Sequence, residues 1–492
     1  MKKIFLTAFL LASFFATAQS NSMLNGPFWK ANPSLAQVQE QIAKGNNPSD
    51  ANAGNHDVVS MAINNGADIE VIKFLIQQPG NSVSKITHDG RLYIHWAASK
   101  GNIELIKYLI AQGSDIHRTD DKGATALAFA ASNGQTNPEV YELFFNAGVK
   151  PDQKYNAGAT ILLLAVANDA DLKLSEYLTT KGLSLATTDD LGRTAFDYAA
   201  RNGNIDLLNQ LLAKGIKPTP NALIFAAQGS RSKTNSLETF EYLVNKARVK
   251  PNALGENGET VLHHIVKKPN QQEVIAYFLD KKVDVNAADK QGNTVLMAAA
   301  ATKNLATLQQ IAPKVKNINV TNANGETALF MAVQKSTPEV VTFLINQGTK
   351  TNVTSKGGNL AHALVQAYQK PRAGQNSNDF IKKLEILKNN GVDFSAIQAD
   401  GSSLYHIAVA KNDLDLLKML EGLNIDINAK ENQGLTPLHK AAMMGQNDTI
   451  LKYLIAQGAN KDVLTDFDET VYDIASENEF FKENNVNIEF LK

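Results

Sequence analysis

Apolar residues along this chain fall into two alternating signatures. The first is a compact burst opened by a threonine, as in "TALAFAA" from Thr125, "TAFDYAA" from Thr194 and "TVLMAAA" from Thr294. The second is a leucine-rich stripe ended by glycine, as in "KYLIAQG", which occurs from Lys107 and again from Lys452. Ile450, Leu451, Leu454 and Ile455 stand at i, i+1, i+4 and i+5, one face of a helix. Each burst followed by a stripe predicts a pair of short helices. A Gly-x-Thr pattern sets the register, at Gly123, Gly158, Gly192, Gly258, Gly292, Gly325 and Gly434, with looser forms at Gly90 and Gly401. Successive threonines lie 33 to 35 residues apart where the register is regular. That period belongs to helical repeat arrays, in which stacked units bury one another's apolar faces.

The fullest copy, "NQGLTPLHKAAMMGQNDTILKYLIAQGAN" from Asn432, gives each position a reason. Gly434 suits a turn needing positive φ, and Thr436 is a helix N-cap. Pro437 fits the first helical position, where its missing amide costs nothing. Ala441 and Ala442 allow close helix approach, Gly445 ends the first helix, and Gly458 stops the second. With its Thr436-Pro437-Leu438-His439 tetrapeptide, this copy resembles the ankyrin repeat, and the resemblance extends from about Asn52 to Ser476. It implies an all-α fold with short β-hairpin loops, an ankyrin-like α-solenoid of about 12 stacked helix-turn-helix repeats, or 12 to 13 units with caps. It also implies that His95, His263, His362, His406 and His439, which occupy the repeat's histidine slot, brace the start of each first helix.

The register breaks in three places. Thr194 and Asn221 are only 27 residues apart, leaving no room for a hairpin after Gly215. Intervals of 39 residues (Asn221 to Thr260) and 44 residues (Asn359 to Ser403) carry polar insertions at 229–236 and 366–379. Both are surface loops between the two helices of a repeat. The expected organisation is an N-terminal segment and capping helix at 19–51, a first sub-array at 52–217, a second at 218–465 and a C-terminal cap at 466–492. Residues 1–18 read as a secretory signal peptide. Lys2 and Lys3 precede an apolar stretch from Ile4 to Phe15, and Ala16-Thr17-Ala18 offers a cleavage site after about Ala18. This predicts a periplasmic or secreted product, periplasmic if the source is a Gram-negative bacterium.

Composition narrows the chemistry. There is no cysteine, hence no disulfide framework and no thiolate metal site. The formal charge is −1, from 48 basic and 49 acidic residues, and gives no footprint for nucleic acid or anionic lipid. No stretch after the signal segment predicts a membrane span. Nine histidines are present, but those in the repeat slot are a whole repeat apart. The adjacent His263 and His264 point apart on a helix and lack the i, i+4 spacing of a zinc protease. Asp466-Phe467-Asp468 begins like a calcium loop without the downstream glycine and glutamate. No nucleophile elbow or phosphate loop occurs. Asp120, Asp121, Asp189 and Asp190 read as turn residues. Neither a catalytic group nor a cofactor or metal site is expected.

The expected function is therefore a non-catalytic, monomeric scaffold that binds a partner protein outside the cytoplasm. Contact would run through hairpin fingertips, at Lys122, Asp190, Asn257, Lys290, Asn324 and Asn432, and through first-helix ends, at Lys100, Arg201, Lys268, Lys335 and Lys411. The basic helix ends suit an acidic partner surface. Alternatives are an exported effector that imitates host contacts, and a metal-dependent enzyme on a solenoid. One further series stands out: Trp96, Phe129, Tyr198 and Phe225 share a slot four residues past the threonine, where later repeats carry His264, Ala298, Met331 and Lys440. A bulkier core is the expected reason, an exposed aromatic groove the alternative.

Overall fold

The computed structural model describes residues 21–230, 234–370 and 378–492. The expected signal segment lies outside the described residues, as do 231–233 of the first long loop and 371–377 of the second. Among the described residues, thirteen helix pairs succeed one another, from Val58–Asn64 with Ile69–Ile76 to Val471–Glu477 with Glu479–Glu483. Two short helices, Gly26–Lys30 and Leu35–Ala43, precede them, so the units exceed the expected count. Trp29 is buried beside them, its indole donating to the Met23 carbonyl at 2.7 Å.

First helices begin where threonine stops the extended chain. Side chains of Thr125, Thr160, Thr194, Thr294, Thr327 and Thr436 each accept from the amide three residues on. Fully buried alanines, such as Ala97, Ala98, Ala130 and Ala131, let neighbouring first helices approach. Second helices bury a narrow stripe at i, i+1 and i+4: Leu105, Ile106 and Leu109 in one repeat, Leu207, Leu208 and Leu211 in another. In the two "KYLIAQG" copies the next position, Ile110 or Ile455, is only half-buried, so the apolar stripe is narrower than its sequence. Gly434 has φ 72°, and a Cβ there would lie 2.6 Å from the Asp466 amide nitrogen. Gly445 has an ordinary φ of −65°. Its need is space, since a Cβ would stand 2.6 Å from the Ala441 carbonyl and 2.7 Å from the Phe481 ring.

The chain divides after Ala222 into two compact units. In the first, the short connection after Gly215 carries no hairpin; Asp197 holds it, accepting from the Thr219 amide at 2.8 Å and hydroxyl at 2.7 Å. Burial raises the Asp197 pKa against those bonds. In the second, helix Leu237–Glu241 runs on into a π-helical turn, Tyr242–Lys246. Arg248, at φ 62°, then fills the left-handed position glycine holds elsewhere. The widened turn absorbs a surplus residue that the sequence pattern did not reveal. Helices Leu360–Ala367 and Asp379–Asn389 also trim the expected loop at both ends.

Hairpin fingers join successive pairs. One is a two-stranded ladder, Thr354–Ser355 with Gly358–Asn359; others close on single bridges, such as Thr119 with Thr125 and Ala288 with Thr294. A side chain organises the turn in several of them. Asp120 accepts from the amides of Lys122 and Ala124, both at 2.9 Å, and Asp289 from those of Gln291 at 2.9 Å and Asn293 at 2.8 Å. Fingers of the second unit are tied in series by backbone bonds: Lys290 to Asn257 at 2.7 Å, Ala323 to Gln291 at 2.8 Å, Lys356 to Asn324 at 2.9 Å.

Candidate protein-binding surface

The histidine slot is built into the repeat junction. His263 Nδ1 accepts from the Thr260 amide at 3.1 Å and meets its hydroxyl at 2.9 Å. An Nδ1 that accepts leaves the proton on Nε2, which donates to the Asn293 carbonyl of the next repeat at 3.1 Å. His406 repeats this with Ser403 and, at 3.0 Å, the Leu435 carbonyl. His439 meets Thr436 the same way. His95 Nδ1 accepts from the Leu92 amide at 3.3 Å, where leucine offers no hydroxyl. His362 contacts Asn359 Oδ1 at 2.8 Å. Burial lowers the pKa of all five, that of His95 to about 4. Among the described residues no three His, Asp or Glu side chains are grouped to hold a metal ion.

The aromatic series is packed rather than exposed. Trp96, Tyr198 and Phe225 are buried and Phe129 half-buried. Trp96 meets Phe129 edge-on at 5.6 Å. Arg91, itself buried, lays its guanidinium 4.2 Å from the Phe129 centroid and 5.1 Å from that of Trp96, with Asp120 at 2.9 Å. Arg193 stands likewise 5.8 Å from the Tyr198 centroid and pairs with Asp189. In both repeats the arginine is the middle residue of the Gly-x-Thr triplet, or of its variant, and the ring follows five residues later. That pairing was available in the sequence as a signal and marks a filled groove floor.

The contact candidates separate by exposure. Lys122, Asp190, Asn257, Lys290, Asn324 and Asn432 are exposed on fingers, Lys100 and Lys335 on helix ends. Lys122 pairs with Asp89 of the preceding finger at 2.7 Å. The other three helix-end candidates do not project freely. Lys411 is half-buried and donates to the Tyr368 carbonyl at 3.0 Å, so it braces the second long loop. Lys268 is half-buried. Arg201 is also half-buried, and burial lowers its pKa. Their long stems are drawn onto neighbouring surface, which their sequence position did not show.

In the second unit the groove floor opens. A cavity of about 450 Å³ is lined by Lys267, Asp289, Asn293, Met297, Ala298, Ala301, Thr302, Met331 and Lys335. Its cause is the aromatic slot itself. Ala298 occupies it with Asn293 as the middle residue of the triplet, where Arg91 and Trp96 close the floor in the first unit.

Such geometry defines a class: a stacked helical-repeat scaffold offering a groove of first helices edged by fingers. The family profile for ankyrin repeats in three copies matches residues 59–154, 127–222, 223–321, 364–465 and 405–486. The chain belongs to the ankyrin repeat family. Residues 322–363 lie outside those matches, yet fold as another pair, Ala328–Lys335 with Pro338–Asn346. The chain is similar to the human transient receptor potential cation channel subfamily A member 1, 22% identical over 409 residues, covering 74% of this chain and 36% of the channel. A putative ankyrin repeat protein of Rickettsia felis is 23% identical over 285 residues, covering 58% of this chain and 70% of that protein. Among solved structures, the ankyrin repeat domain of Bcl-3 aligns with a TM-score of 0.36 at 20% identity, over 45% of this chain and 95% of that domain. No helix among the described residues is long and apolar enough to cross a membrane.

Proposed function

We propose that this chain is a non-catalytic scaffold that captures a partner protein outside the cytoplasm. Recognition runs through the fingertips and the groove formed by the first helices. The observation that carries this reading is the arrangement of polar side chains. Lys122, Asp190, Asn257, Lys290, Asn324 and Asn432 stand exposed at finger after finger, while Asp120 and Asp289, which fix two of those fingers, are consumed in turn hydrogen bonds. A rigid scaffold with variable exposed tips is what extended protein recognition requires. Export rests on the N-terminal Lys-Lys, apolar and Ala-Thr-Ala series.

The test is site-specific photocrosslinking in the source cell. A crosslinker at Asn324 or Lys335 is expected to trap one discrete partner. The same group at Lys452, exposed on a second helix, is expected not to. Equal, diffuse labelling at all three sites would show that the groove side is not the binding side. Fractionation in the same cells is expected to release the protein with the periplasmic or secreted pool; retention with the cytoplasm would remove the export element.

A further inference from the structure

The open floor of the second unit is a built site with unspent charge. It spans three consecutive repeats. Lys267 follows helix Val261–Ile265, Met297 and Ala298 lie on helix Val295–Ala300, and Met331 and Lys335 on helix Ala328–Lys335. Its two rims differ. At the finger rim, Asp289 is committed, accepting from the Gln291 amide at 2.9 Å and from Asn293 through both its amide, at 2.8 Å, and its side chain, at 3.0 Å. At the helix-end rim stand Lys267 and Lys335, both exposed. Among the described residues neither ammonium has an ion pair or hydrogen bond, whereas Lys122 and Lys440 each hold a carboxylate, Asp89 at 2.7 Å and Glu431 at 2.5 Å. Between the rims the floor is apolar: the buried side chains of Met297 and Ala298 and the half-buried Met331. Met thioethers adapt to irregular apolar partners.

We infer that this cavity is the specificity pocket of the groove, and that it takes a short segment of the partner protein carrying an apolar side chain next to a carboxylate. The apolar group sits over Ala298 between Met297 and Met331, and the aspartate or glutamate beside it lies between Lys267 and Lys335. The charge argument selects the occupant. Two unpaired ammonium groups on one rim repel a basic segment and attract an acidic one, and a neutral segment leaves them unused. The Asp289 carboxylate at the opposite rim fixes the direction, because an acidic group placed there meets a like charge. The cavity is within the size range of sites that enclose a ligand group. This inference rests on the protein-binding reading and adds the chemistry of the partner.

The test pans a random peptide display library on the full chain, then measures the selected peptides by fluorescence anisotropy. The expected peptides carry Asp or Glu beside Leu, Ile or Met. Ala298→Phe refills the floor with a ring that Phe129 shows this slot accepts, and should weaken binding at least tenfold. Lys267→Gln with Lys335→Gln should weaken it similarly and flatten its salt dependence, while Lys452→Gln, on a second helix, leaves it unchanged. Thermal melting of each variant identifies any that fails to fold, and the lysine variants change only exposed side chains. Recovery of no peptide, or of peptides that bind all pocket variants as they bind the parent, overturns the pocket assignment. If photocrosslinking still traps a partner in that case, the scaffold reading stands without it.

Discussion

At the scale of single residues, the repeat is held by groups that are polar yet buried. His263 joins its own helix start to the next finger, through Thr260 on one side and the Asn293 carbonyl on the other. Replacing it by alanine removes those bonds and leaves buried partners unsatisfied, a loss of about 2–3 kcal/mol in stability by urea denaturation. The buried histidines also set a pH dependence. Their pKa values lie below the ordinary 6.5, with His95 and His264 at about 4, chiefly because burial disfavours the imidazolium. Below pH 6.5 the unfolded chain therefore binds more protons than the fold. The histidine contribution is fully present above about pH 6.5 and is lost as pH falls through about 4. The urea midpoint should fall across that window. His95→Gln should reduce the slope, and a midpoint flat from pH 7 to 4.5 would contradict the assignment. The histidine positions were readable from the period alone. Their donor and acceptor roles were not, because those of His263 and His406 depend on a carbonyl about thirty residues away.

At the scale of elements, caps and stops were legible because they act locally. Thr436, Pro437 and Gly458 meet their partners within one turn. Gly445 was legible only as a stop. Its constraint comes from the Ala441 carbonyl four residues back together with Phe481 in the terminal repeat, so Gly445→Ala should cost about 1–3 kcal/mol through overpacking. Gly113→Ala, where a Cβ meets nothing within 4 Å, should pay only for its φ of 80°, about 1 kcal/mol. Comparing the two urea midpoints separates strain at a contact from strain in the backbone. The π-helical turn at Tyr242–Lys246 and the left-handed Arg248 escaped the sequence pattern. A widened turn accommodates its surplus residue without altering the apolar stripe that the pattern reports.

At the scale of the whole molecule, stability is distributed along stacked repeats, each resting on its neighbours. Phe144 is fully buried in the first unit and Phe278 in the second. Truncating either to alanine should cost about 3–5 kcal/mol locally. Hydrogen exchange should show lost amide protection concentrated in the unit that carries the change. Uniform loss along the chain for both variants would instead indicate a single cooperative block.

The sequence by itself determined the repeat, its period, the paired helices, the caps and the fingers. All follow from residues that act within one turn or recur at a fixed interval. It also marked the slot that holds Trp96, Phe129, Tyr198 and Phe225. Only the tertiary structure decided what that slot does: Arg91 and Arg193 cover the rings from the finger side, and Ala298 leaves the floor open. Exposure likewise separated Lys335, which stands on the open rim, from Lys411, spent on the Tyr368 carbonyl. Both lysines hold equivalent places in the repeat. What differs is the neighbouring chain that each one meets, and a periodic pattern carries no record of that neighbour.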